Sequence, residues 1–141
     1  MEKITEKIIL LLLTLFMLLL GLVPLAAGQE IQLPRISIEE LKALMEDGAD
    51  IVIIDTQPKK LYEIEHIKGA ISLPWAMKID WTTAKKLPRD KLLILYCGCG
   101  PGEADSNHVG LQLKGMGFTH IKVLSDPSIT GWIEKGYPIE K

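Results

Sequence analysis

The chain has 141 residues, a formal net charge of −2 and two cysteines, Cys97 and Cys99. That length suits one small domain, and the near balance of 16 basic and 18 acidic residues argues against a nucleic-acid or polyanion partner. Two cysteines separated by one residue are too close in sequence to staple a fold, so chemistry explains them better.

Taken in chain order, the first segment reads as a leader rather than as fold. Met1 to Lys7 carries two lysines, Ile8 to Val23 is an almost unbroken apolar run, and Pro24-Leu-Ala-Ala-Gly28 follows. A charged start, apolar middle and small-residue exit are the layout of a secretory signal. Ala26 and Gly28 place the expected cleavage between Gly28 and Gln29, with cleavage after Ala27 the neighbouring choice. Gln29 stands where a lipid-bearing Cys would be required. The rival reading is an uncleaved anchor, because the run is near the short limit for a span. Either way the domain is expected outside the cytoplasmic membrane, periplasmic or secreted, with Lys3 and Lys7 left inside. Residues 1–28 are read as this signal or anchor, 29–35 as a linker and 36–140 as the domain. Removing the leader leaves 113 residues, 14 of them basic and 16 acidic. That is enough for one core without disulfides, and a monomer is expected.

Ser37-Ile-Glu-Glu40 is a capping box, and the helix it opens carries Ile38, Leu41, Leu44 and Met45 on one face until Asp47-Gly48 ends it. Asp50 to Asp55 is an apolar run that reads as a buried strand. Pro58 to Ile64 reads as a short helix, and Ala70 to Leu73 as a brief strand stopped by Pro74. Trp75 to Leu87 is expected as an irregular helix, with Pro88-Arg-Asp90 as the turn into a second buried strand, Lys91 to Tyr96. Glu103 to Met116 is the next helix, Ile121 to Leu124 the final strand and Ile129 to Lys135 the last helix. Apolar runs of this length alternating with helices give an α/β fold of three layers, a mostly parallel sheet with helices on both faces.

Cys97 stands at the carboxyl end of the second buried strand and opens the loop Cys97-Gly-Cys-Gly-Pro-Gly-Glu103. In open α/β sheets that edge faces the ligand crevice. Loop amides and the dipole of the following helix favour the thiolate there, the reactive form of the side chain. The alternative is a cysteine that merely packs.

Three stretches resemble the single-domain rhodaneses. The first is Ile54-Asp-Thr56 followed by Tyr62-Glu-Ile-Glu-His66-Ile-Lys-Gly69-Ala70-Ile-Ser-Leu-Pro74. The second is Tyr96-Cys97 and its loop, and the third runs from Gly131-Trp132 to Gly136-Tyr137-Pro138. The resemblance covers residues 36–140 and implies a rhodanese-like fold with a five-stranded sheet. It also implies a sulfurtransferase or persulfide carrier in which a loop cysteine takes sulfane sulfur from a small donor. That sulfur passes to cyanide, a thiol or a sulfur-carrier protein, by two-step covalent catalysis without cofactor or metal. Cys97 would be the nucleophile, with Cys99 the alternative or resolving thiol. Gly98, Gly100, Pro101, Gly102 and Glu103 would be the substrate-binding loop, its amides holding the terminal sulfur as an anion.

The departures from the family pattern bear on the donor. The loop has no basic residue and carries Glu103. Gln57 replaces an Arg, Glu65 a Gly, and Asp126-Pro-Ser128 a Gly-Gly, while Ser106 falls at the position of the family's helix-head Ser. An anionic donor such as thiosulfate is therefore expected to react weakly. Two other function classes remain: a thiol–disulfide protein using Cys97 and Cys99, and a catalytically silent binding module. A phosphatase is disfavoured, because neither cysteine is followed by Arg at the spacing of a Cys-x5-Arg phosphate loop.

Among the remaining candidates, His66 is read as structural, and His108 and His120 as surface. Asp55 is a strand-end residue lining the crevice. Glu103 is read as a favourable partner of the helix dipole, or as a charge that raises the cysteine pKa. A Cys-x-Cys plus His metal site lacks a second ligand pair.

Overall fold

In the computed structural model, residues 1–20 and 31–141 are described. They fall into two units, divided between Ile31 and Gln32. The first contributes α1 (Glu2–Leu20), whose Ile8, Leu11, Leu12 and Phe16 are exposed. Among the described residues, no helix is long and apolar enough to cross a membrane. Ala26 to Gln29, where cleavage is expected, lie outside the described residues.

The second unit runs β1 (Arg35–Ile36), α2 (Ile38–Glu46), β2 (Ile51–Asp55), α3 (Lys59–Ile64), β3 (His66–Ile67), β4 (Ile71–Ser72) and α4 (Trp81–Ala84). It continues with β5 (Leu92–Tyr96), α5 (Ala104–Gly115), β6 (Ile121–Leu124), α6 (Ser128–Glu134) and β7 (Ile139–Glu140). Five strands form one parallel sheet in the order β1-β6-β5-β2-β4, and β3 pairs antiparallel with β7. β2, up to its terminal Asp55, and β5 are near-continuous apolar runs because both faces of the sheet are covered. Along β5, Leu93 and Leu95 pack with Val109, Leu113 and Phe118 on one face, while Ile94 and Tyr96 pack with Leu41, Ile129 and Trp132 on the other. The register Asp55↔Tyr96 brings the carboxyl ends of β2 and β5 level, so whatever follows each strand shares one edge.

The capping box forms as the sequence implies: Ser37 Oγ accepts from the Glu40 amide and Glu40 Oε2 from the Ser37 amide. Two expectations change. The irregular helix over 75–87 shrinks to α4, because the backbone before it is bonded to side chain: Gln112 of α5 accepts from the Ile79 amide and donates to the Ala76 carbonyl. The linker over 29–35 gives up its last residues to the fold. Leu33 is buried, its amide donates to Asn107 Oδ1, and a side chain on Gly110 would meet it at 2.3 Å, so Gly110 makes its seat. Arg35 then enters β1 beside β6.

Candidate active site at the end of β5

The loop after β5 holds all seven sequence-identified residues, 97–103, and doubles back on itself. Gly98 adopts φ 62°, and a Cβ there would lie 2.6 Å from Ile129 Cγ2, so no other residue fits both the turn and the α6 contact. The turn returns Cys99 over Cys97. The two Cα atoms are 5.1 Å apart, the sulfurs are bonded as a disulfide, and the Cys99 amide lies 3.3 Å from Cys97 Sγ. The cysteines differ in access: Cys97 is 3% exposed, whereas Cys99 lies on the surface.

Glu103 departs most from expectation. It precedes α5 in the left-handed region (φ 51°, ψ 51°) and does not cap that helix. Its side chain turns back and is fully buried. Oε2 accepts from the Cys97 amide at 2.5 Å and from Ser106 Oγ at 3.1 Å, and Oε1 accepts from the Gly98 amide at 2.9 Å. Two of the amides expected to cradle a terminal sulfur are therefore held by the protein's own carboxylate, which bonds the Ser106 side chain of the first turn of α5 but caps none of its amides. Burial pushes its carboxyl above the ordinary range, against the amides and hydroxyl that favour the ion. Ser106 continues the chain to Thr56 Oγ1 at 3.2 Å, which lies 3.1 Å from the Tyr96 carbonyl. The family resemblance sets Ser106 at the helix head and includes Thr56 in its first stretch, without a role for it.

The outer part of the loop is pinned from two sides. The Gly102 amide donates to Asp126 Oδ2 at 2.8 Å, and Arg35 Nη2 donates to the Gly102 carbonyl at 2.8 Å. Arg35 also contacts Gln32 Oε1. The loop itself has no base, but one reaches it from β1. Nothing local in the sequence signals this, since β1 joins the site only by pairing with β6. The hollow beside the loop is lined by Gly98, Gly100, Pro101, Glu103, Asp126, Pro127 and Thr130, so its charged members are acidic.

Cys97 Sγ, Cys99 Sγ and a Glu103 oxygen lie within 4.8 Å of one another, a set that could hold a soft metal ion. In the disulfide both sulfurs are engaged, and the carboxylate already accepts three hydrogen bonds.

Asp55, at the level end of β2, is buried in a separate cluster. It accepts from the Tyr96 hydroxyl at 2.8 Å, the Gln57 amide at 2.7 Å and Gln57 Nε2 at 3.1 Å, while the Ile67 amide donates to the Tyr96 oxygen at 3.0 Å. Burial raises the Asp55 carboxyl pKa and drives that of the Tyr96 phenol far above its ordinary value. His66 stacks on Tyr62 and bonds its carbonyl through Nδ1 at 2.8 Å, consistent with the structural reading. His108 and His120 are exposed.

Comparison with known proteins bears on the family and the fold. The chain is 29% identical over 118 residues to the probable adenylyltransferase/sulfurtransferase MoeZ of Mycobacterium tuberculosis, covering 84% of this chain and 29% of that protein. It is 26% identical over 109 residues to the adenylyltransferase and sulfurtransferase UBA4 of Meyerozyma guilliermondii, covering 73% and 23%. The chain thus spans less than a third of the length of these relatives. Among solved structures, the BH2092 protein of Bacillus halodurans superposes with a TM-score of 0.68 at 28% identity over 76% of each chain. The profile of the Rhodanese-like domain matches residues 37–135, and the chain belongs to that family.

Proposed function

We propose that the protein is a sulfurtransferase or persulfide carrier in which Cys97 holds the sulfane sulfur. The observation that carries this reading is the seat of Cys97 at the carboxyl end of a central parallel strand, in a glycine-rich loop at a helix start. In the reduced protein the Cys97 thiolate attacks the sulfane sulfur of a donor, the donor's remainder leaves, and the resulting persulfide passes its outer sulfur to a thiol, cyanide or carrier-protein acceptor. Glu103 bears on the donor. With the Cys97 and Gly98 amides bonded to its carboxylate and Asp126 on the rim, a donor carrying less negative charge than the thiosulfate dianion, such as an alkyl persulfide, suits the site better. The sulfurtransferase names of the two relatives support the same class of chemistry.

Steady-state sulfur transfer from a persulfide donor to a thiol tests the reading. Ping-pong kinetics are expected, lost in Cys97→Ser and retained in part in Cys99→Ser; full activity in Cys97→Ser would refute the assignment. The second reading, thiol–disulfide exchange, is favoured by the bonded sulfurs of Cys97 and Cys99 and predicts activity with dithiols but no sulfur adduct.

Export by residues 1–28 is part of the same proposal, resting on the charged start, apolar run and small-residue exit. The N-terminus of the exported protein should begin at or next to Gln29. An intact Met1 recovered from membranes would identify an anchor instead.

A further inference from the structure

We infer that Cys99 is a resolving thiol that discharges the Cys97 persulfide as hydrosulfide, leaving the Cys97–Cys99 disulfide. The inference rests on the proposed loading of Cys97 and goes beyond it, because it gives the bound sulfur an exit that needs no external acceptor. Three observations carry it. The loop brings Cys99 Sγ onto Cys97 Sγ, the inner sulfur of a persulfide on Cys97. The Cα separation of 5.1 Å lies within the ordinary disulfide range, so the backbone need not open for the bond to form. Gly98 maintains that turn through its positive φ and its fit against Ile129.

The step balances without a co-reactant. The Cys99 thiolate attacks Cys97 Sγ, forming the Cys97–Cys99 bond. The bond from Cys97 Sγ to the outer sulfur breaks, and its electron pair leaves with that sulfur as HS⁻. The sulfane sulfur is reduced and the two cysteines are oxidised. Hydrosulfide is a better leaving group than an alkyl thiolate, because the more acidic thiol leaves faster. Returning the loop to the dithiol requires an external dithiol reductant. Access fixes where that reductant attacks: Cys99 is on the surface and Cys97 is buried, so the mixed disulfide forms on Cys99 and frees Cys97 for the next loading. An external thiol acceptor and Cys99 thus compete for one persulfide, and the outcome decides between sulfur transfer and hydrosulfide release.

The test uses the full-length reduced protein, loaded with one equivalent of glutathione persulfide and desalted. The wild type should release about one equivalent of hydrosulfide without added thiol and finish about 2 Da lighter than the dithiol form, whereas Cys99→Ser should keep a gain of about 32 Da and release hydrosulfide at least about tenfold more slowly. A stable adduct on wild-type Cys97, equal release from Cys99→Ser, or movement of the adduct to Cys99 would each overturn the inference while leaving the loading of Cys97 standing. No adduct in Cys99→Ser would instead overturn the loading itself.

Discussion

Asp55 and Glu103 are both buried carboxylates beside the carboxyl ends of adjacent strands, and burial raises the pKa of both. Their partners differ. Asp55 is held by a hydroxyl from the neighbouring strand and by Gln57 just after its own, and that hydroxyl is in turn bonded to β3. Glu103 is held by two amides of its own loop and by the first turn of α5, on a left-handed backbone just after Gly102. The first arrangement ties three elements together and builds a wall. The second ties the Cys97 loop to the first turn of α5 and, through Ser106, to Thr56 just beyond β2. A buried charge is therefore not in itself a functional mark; what distinguishes the two sites is that Glu103 bonds the backbone amide of the loop cysteine Cys97, whereas Asp55 bonds only Tyr96 and Gln57.

Tyr96→Phe should break the wall with the largest effect. It strips a donor from the buried Asp55 and an acceptor from the Ile67 amide, at a cost of about 1–3 kcal/mol in urea unfolding. Sulfur loading per folded molecule should survive. A stability within error of the wild type would deny Asp55 its structural role.

At Glu103 the comparison turns on backbone. Both Glu103→Ala and Glu103→Gly lose the carboxylate, but only glycine also relieves the left-handed strain. The glycine variant should be the more stable of the two by about 1 kcal/mol, measured by urea unfolding. The reverse order would mean that the φ of 51° costs nothing.

The pH dependence sharpens the same point. A buried acid whose folded pKa is raised contributes stability that is fully present below its unfolded pKa and is lost as pH rises through the folded value. The stability of the wild type over Glu103→Gln should therefore shrink as pH rises above the ordinary glutamate pKa of about 4. A gap that widens with pH would mean that the amides outweigh burial.

The smallest effect is expected from charge at the loop rim. Gly102 is unsuitable for the test, because it lies at φ 85° with both its amide and its carbonyl bonded. Pro101→Arg places the charge beside the hollow instead. It should raise turnover with thiosulfate at most about fivefold, the yield of an exposed charge, relative to an alkyl persulfide donor, which carries less charge. Equal gains with both donors would remove electrostatics as the reason for donor choice.

Much of this was legible in the sequence, for local reasons. β2 and β5 declare themselves as unbroken apolar runs, α2 through its capping box, and Cys97 through its place between strand and helix. What sequence could not supply was non-local. β1, β3 and β7 are two-residue strands, too short for any periodicity, and they exist only through their partners. The segment before α4 depends on Gln112, more than thirty residues away. In the loop, the composition gave the glycines and the acid but not the direction of the Glu103 side chain. A residue preceding a helix is expected to face the helix, and only the left-handed turn sends it back to the Cys97 amide.

The central claim, that Cys97 bears the sulfane sulfur, is tested most directly by locating the adduct. The reduced wild type, Cys97→Ser and Cys99→Ser proteins would each be exposed briefly to glutathione persulfide and quenched with an alkylating agent. Peptide mass mapping would then follow. The account predicts a gain of about 32 Da on Cys97, most abundant in Cys99→Ser and absent from Cys97→Ser. An adduct found on Cys99 in Cys97→Ser, with none on Cys97 in Cys99→Ser, would contradict it.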